Sequence, residues 1–218
     1  METKPRISIS YSTRNNDLKA IQRVGGFLGT EIIKRMESTR SLPKLIAITL
    51  LEDGRGMQVH ELSKEMARIS CSIEFSLQSD SDSDKSINQM LLAVMFAVLD
   101  HLDSSLKGQY VAIRKTIETN SYFTTPTIKR SPTSVRELQI SYAYFISSIK
   151  YKMRVIENSI TILEEIISIQ YLKKKQRSKE WWNDLDLLVP FEFCGWANDS
   201  VFSIKIRGDL RKIDVSSS

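Results

Sequence analysis

The chain has 218 residues, of which 41% are hydrophobic, and its formal net charge is +5 at pH 7. This composition excludes extensive disorder, because it supplies enough apolar material for a core. So small a net charge excludes a histone-like polycation, although it permits an acidic partner. The longest apolar run, residues 90–99, is too short for a membrane helix, which needs about 20 residues.

The N-terminal part of the chain predicts a strand followed by a helix. Apolar residues alternate with serines over residues 7–11, which is typical of a half-buried strand. Apolar residues then recur every three or four positions over 18–36, as in a helix packed on one face. Glycines are unfavourable inside a helix. Those at positions 25, 26 and 29 therefore predict either close approach of a neighbouring element or a local break.

The next segment predicts two strands and a polar loop. Residues 45–51 form a compact apolar run, and the Asp-Gly pair after it indicates a turn. Residues 57–67 are ambiguous between a strand and a short helix, whereas residues 69–77 alternate as a strand does. Serine and aspartate alternate over 79–84, which predicts a solvated loop.

Two long helices are predicted after this polar loop. The first covers residues 85–119, and a polar loop over 120–133 follows it. Residues 133–189 contain neither glycine nor proline, and apolar residues recur in them at helical spacing. Ser134 and Glu137 fit a capping box at the start of this segment. The pattern predicts a helix of about 35 residues, roughly 50 Å long.

The chain ends with strands over 187–207 and a polar tail. The predicted fold class is α+β: an antiparallel or mixed sheet of about five to six strands, on which two long helices and one shorter N-terminal helix pack. We expect one domain over 1–218. Its predicted parts are a strand-rich part (1–78), the Ser/Asp loop (79–84), the long-helix part (85–186) and the C-terminal strands (187–207).

The two cysteines, Cys71 and Cys194, are predicted to be buried free thiols, because each lies among apolar residues of a strand. Two cysteines are too few for a disulfide framework. The polar N-terminus does not resemble a signal peptide. We therefore expect a reducing, cytoplasmic location.

A basic segment follows the predicted long helix. A solvated helix end explains it, because the helix dipole favours cations there. Nucleic-acid phosphates and an acidic protein surface are the alternative ligands. The cations of this segment are Lys173, Lys174, Lys175, Arg177 and Lys179.

The three tryptophans and a phenylalanine are the candidate residues for binding a protein. Trp181, Trp182, Phe193 and Trp196 lie close together in the sequence. Either these side chains form core, or they form an interface hot spot, where tryptophan is enriched. Adjacent residues of a helix point about 100° apart, so Trp181 and Trp182 are difficult to bury on one face.

No catalytic motif, phosphate loop, cofactor site or metal-ligand cluster stands out in the sequence. His60 and Glu61 are a conceivable acid/base pair, but no nucleophile signature accompanies them. His101 and Asp103 do not share a helical face and therefore do not predict a metal site.

The absence of recognisable chemistry favours a non-catalytic, cytosolic protein that binds a specific protein, either of the immunity or inhibitor type or as an accessory subunit. The alternative is a nucleic-acid-associated protein, for example a viral or nucleoid-linked one, that uses residues 173–179. An enzyme with dispersed catalytic residues is the third hypothesis. Homo-oligomerisation is compatible with each of them, because a broad apolar face can be buried by a second copy.

Overall fold

A computed structural model describes residues 4–11, 18–51, 55–73, 81–145, 147–170 and 191–216. The chain divides into two compact units. The first unit comprises Met1–Tyr122 with Tyr144–Ser147, and the second comprises Phe123–Ala143 with Ser148–Ser218. We predicted that residues 1–218 fold together as one domain, and this stays a prediction.

The first unit contains a four-stranded sheet in the order β1-β2-β4-β3. β2 pairs in parallel with β1 and β4, while β3 is antiparallel to β4 at one edge. Burial alternates along β2, because every second side chain faces the core. The strands are β1 (Arg6–Tyr11), β2 (Leu45–Leu51), β3 (Met57–Leu62) and β4 (Met66–Ser72).

Helix α1 (Leu18–Arg35) connects β1 to β2 and packs against β1, as its apolar periodicity predicted. A Cβ atom added at Gly25 would lie 2.9 Å from the Cβ of Ile9, and one added at Gly29 would lie 2.8 Å from the Cβ of Ile7. Both distances are shorter than real Cβ contacts allow. The predicted close approach is therefore confirmed at these two glycines.

The helix predicted over 85–119 is interrupted. Helix α2 (Ser81–Leu102) ends before a 3-10 turn at Ser104–Leu106, and helix α3 (Lys107–Thr119) follows. Asp103 has an extended backbone at this break, and its Oδ1 accepts a hydrogen bond from the Ser105 N–H at 3.0 Å, which caps the 3-10 turn. None of the helices in the described ranges is long and apolar enough to cross a membrane.

The second unit contains two antiparallel sheets, with strand orders β5-β6-β7-β8 and β11-β10-β9. Tyr151 on β7 stacks on Phe191 on β9, with ring centroids 4.7 Å apart, so the two sheets contact each other through aromatic rings. The strands are β5 (Thr127–Arg130), β6 (Arg136–Tyr144), β7 (Ser148–Glu157), β8 (Ile160–Gln170), β9 (Phe191–Trp196), β10 (Val201–Ile206) and β11 (Asp209–Asp214).

The predicted long helix after residue 133 is wrong. Strands β6, β7 and β8 occupy its described part. Along β7, buried Tyr151 and Met153 alternate with less buried basic residues. This period of two is typical of a strand, although the apolar residues of the segment also fit a helical spacing. Asn158 and Ser159 form the β7–β8 turn with φ of 49° and 67°, so the hairpin needs no glycine to reverse.

The predicted fold class is therefore wrong as well. Among the described residues, eleven strands form three sheets beside three α-helices, in place of five to six strands in one sheet with two long helices. The polar tail predicted at the C-terminus instead contains β11, which pairs with β10 through the turn at Arg207 and Gly208.

The two cysteines differ from each other. Cys71 lies on β4 and is buried as a free thiol, which confirms its prediction, and burial raises its pKa to about 11. Cys194 is also free, but it is exposed, so the prediction of a buried thiol is wrong there. The β9–β10 register shifts at this point, because Gly195 pairs with Ser203 and Phe193 with Ile204. Cys194 is thus the extra residue of a β-bulge.

Candidate protein-binding surface

Exposed apolar side chains concentrate on the outer strands of the three sheets. Seven of the nine large hydrophobic residues that are exposed in the described part of the chain lie on β3, β5, β8 or β11, each of which ends its sheet. An outer strand also presents unpaired backbone N–H and C=O groups. The seven residues are Met57, Val59, Leu62, Ile128, Ile160, Ile166 and Leu210.

β3, one of the two outer strands of the first unit's sheet, extends a buried apolar surface to the edge of that sheet. Met57 pairs with Cys71 and Val59 with Ile69, and both partners on β4 are buried. Because paired residues of neighbouring strands share a face, Met57 and Val59 continue the apolar face of the core. Leu62 adds a third exposed apolar side chain on the same strand.

In the second unit, the outer strand β8 of the four-stranded sheet is eleven residues long and carries exposed Ile160 and Ile166. Its Glu164 accepts a hydrogen bond from Arg154 Nε at 2.5 Å and lies 3.4 Å from Lys152 Nζ. The hydrogen bond from Arg154 and the nearby cations hold the pKa of Glu164 below its usual range. The charge of Glu164 is therefore paired beside the exposed side chain of Ile166.

The predicted tryptophan cluster is only partly described. Trp196 Nε1 donates a hydrogen bond to the Lys129 carbonyl at 3.3 Å, and the Trp196 ring lies 5.0 Å from the ring of buried Phe202. The Phe193 ring lies 6.4 Å from the same phenylalanine. Both side chains are half-buried and contact the core of the second unit. Their role in binding a partner stays a prediction.

The remaining predicted binding residues lie outside the described residues. They comprise Trp181, Trp182 and the basic segment Lys173, Lys174, Lys175, Arg177 and Lys179.

The two residues of the predicted acid/base pair, His60 and Glu61, contact different side chains. His60 Nε2 lies 2.7 Å from Ser70 Oγ, whereas Glu61 pairs with Arg68 at 3.7 Å. His60 is exposed on β3, so water has access to the imidazole. Across the described residues, no three His, Cys, Asp or Glu side chains converge as metal ligands.

The outer-strand residues are not recognisable in the sequence, because their common property is a position in the strand order, which depends on pairing between distant segments. The alternation of apolar and basic residues in β7 is the local signal that indicates a strand in this region.

No protein family, curated protein or solved structure matches this chain.

Proposed function

We propose that this protein is a non-catalytic, cytoplasmic protein that binds a specific protein partner, either as an immunity- or inhibitor-type protein or as an accessory subunit. The observation that carries the proposal is the concentration of exposed apolar side chains on outer strands. Natural proteins usually protect such strands with charges, proline or a covering element. An apolar outer strand is a surface to which a partner strand can add.

The β8 strand illustrates why a protein fits this surface better than a nucleic acid does. Lys152 and Arg154 on the neighbouring strand both contact Glu164, so one of their two positive charges is offset locally. A partner strand placed beside β8 would cover Ile166 and pair with backbone groups, neither of which requires phosphate. The nucleic-acid alternative depends on residues 173–179, which lie outside the described residues.

The test is capture of partners from the native host's lysate by the full-length chain, with half of the lysate treated with nuclease. Two double variants place charges on outer strands: Val59→Lys with Leu62→Lys on β3, and Ile160→Lys with Ile166→Lys on β8. We expect the wild-type chain to retain a stoichiometric protein after nuclease treatment. At least one double variant should weaken capture about tenfold or more, since inserted charges oppose strand pairing.

Val135→Lys is the matched control, because Val135 is equally exposed but lies in the turn between β5 and β6. Circular dichroism and urea unfolding check that every variant remains folded. Full capture by both double variants would contradict the outer-strand surface. Co-purification of nucleic acid, with loss of all partners after nuclease treatment, would support the nucleic-acid alternative instead.

A further inference from the structure

A groove of about 260 Å³ lies between α2 and α3 in the first unit. Its apolar lining includes Ala93, Phe96 and Ala97 from α2 and Val111 from α3. Phe96 and Ala97 follow Ala93 by three and four positions, so all three lie on one face of α2. Val111 and both alanines are exposed, so the groove is open to a ligand from the solvent.

Two residues that line the groove each carry a buried polar atom that has no hydrogen-bond partner in the described part of the chain. Tyr110 is only 3% exposed, and its hydroxyl oxygen is unpaired. Asp100 Oδ1 is also buried and unpaired, although Asp100 Oδ2 lies 3.6 Å from Lys107 Nζ. Because buried polar groups in folded proteins are normally hydrogen-bonded, these two atoms are candidate acceptors for the donors of a bound group.

The electrostatics of the groove favour a cation at these atoms. Burial, together with the negative charges of Asp103 and Asp100, raises the pKa of Tyr110 to about 12, so its hydroxyl lies in a negative potential. The two cations that line the groove already have acidic neighbours. Lys107 faces Asp100, and Arg114 Nε bonds Glu118 Oε1 at 3.0 Å.

We propose that the groove binds the side chain of an arginine presented by the partner protein. A guanidinium offers several N–H donors in one plane, so it can serve both Asp100 Oδ1 and the Tyr110 hydroxyl. Its aliphatic stem matches the apolar lining, and its plane can stack beside Phe96. The groove is smaller than the roughly 300–1,000 Å³ of sites for drug-sized ligands, which favours a single side chain.

This inference rests on the proposed function, because the arginine belongs to a protein, but its test needs no partner. The probe is N-acetyl-arginine amide, titrated into the isotopically labelled full chain and followed by two-dimensional amide NMR. We expect saturable shifts at residues of α2 and α3 with a Kd of about 1 mM, as for one small group. The neutral analogue N-acetyl-citrulline amide should bind about tenfold more weakly, because it lacks the charge.

Two variants remove the proposed acceptors. Asp100→Asn should weaken the arginine probe about tenfold, and Tyr110→Phe should weaken it about threefold. Asp209→Asn on β11 removes a carboxylate outside the groove and should leave binding unchanged. Tyr110→Phe retains the ring and deletes an unpaired hydroxyl, so the fold should be preserved.

Absence of shifts on α2 and α3, equal binding of the two analogues, or unchanged binding by Asp100→Asn would overturn the arginine site. The lysate capture separates this failure from failure of the proposed function. A partner that is captured while the probe does not bind leaves the outer-strand surface standing. Probe binding without any captured protein supports the groove and contradicts the outer-strand proposal.

Discussion

Gly25 and Gly29 lie where α1 crosses β1, and their missing side chains allow the two elements to approach each other. We expect Gly25→Ala and Gly29→Ala each to lower the free energy of unfolding by about 1–3 kcal/mol, the usual effect of overpacking a core. Gly29→Ala should be the more damaging, because its Cβ would also lie 3.3 Å from the backbone oxygen of Ile7. Urea unfolding measures both effects.

Gly26 is the matched control for these variants. A Cβ added at this position would meet no atom within 4 Å. Alanine should therefore stabilise the protein there by about 0.5–1 kcal/mol, because it favours the helix without a clash. A similar change in stability from all three alanine variants would contradict the close-approach explanation.

Asp199 connects two turns of the second unit. Its Oδ1 accepts a hydrogen bond from the Thr133 N–H at 3.0 Å, and this bond holds the pKa of the carboxyl below its usual range. The unfolded chain therefore binds more protons as the pH falls below about 4. The stability that this carboxylate contributes is present at neutral pH and is lost as the pH falls through the folded-state pKa.

Asp199→Asn should consequently be less stable than the wild-type chain at pH 7, and the difference should shrink at about pH 3. Urea unfolding at the two pH values measures it. Asp209→Asn, which removes an exposed carboxylate from the start of β11, is the control. A difference between wild type and Asp199→Asn that stays constant with pH would contradict the role of ionisation.

The β7–β8 hairpin depends on two residues with positive φ, Asn158 and Ser159. Serine is strained in this conformation by about 1 kcal/mol, whereas glycine adopts it freely. Ser159→Gly should therefore raise the free energy of unfolding by up to about 1 kcal/mol. Ser168→Gly, within exposed β8, should lower it by a similar amount, since glycine weakens a strand interior. Destabilisation by Ser159→Gly would contradict the turn geometry.

This hairpin also shows how far the sequence predicts the elements. Residues 7–11, 18–36 and 45–51 were assigned correctly, because each has one apolar period and clear boundaries. Residues 133–189 carry two overlapping patterns, since many apolar residues on both faces of β8 satisfy a helical spacing as well as a strand alternation. Without glycine or proline to mark the turn, local pattern alone does not choose between the two structures.

At the scale of the whole molecule, the strand order is the property that the sequence did not reveal. Pairing between distant segments decides which strands are outermost, and the candidate binding residues share only that position. The groove between α2 and α3 was missed for a related reason. In a continuous helix over 85–119, Asp100 and Tyr110 would belong to the same helix. The turn at Asp103 instead places them on two helices, and residues of both helices line the groove.

The relative amounts of strand and helix provide a direct test of the fold. Eleven strands in the described residues should give an amide I infrared band dominated by β-structure, with a smaller helical component. Far-UV circular dichroism should agree. A spectrum dominated by helix would contradict the three-sheet fold and would favour the long-helix interpretation of residues 133–189.

The bulge in β9 gives the unmodified chain a specific attachment point for spectroscopic probes. Thiolate is the reactive form of cysteine, and Cys71 is both buried and shifted to a pKa of about 11, whereas Cys194 is exposed. A maleimide dye should therefore label one thiol in the native protein and two after denaturation, as counted by mass spectrometry. Two rapid native labels would contradict the burial of Cys71. A fluorophore on Cys194 would report on the second unit without any engineered cysteine.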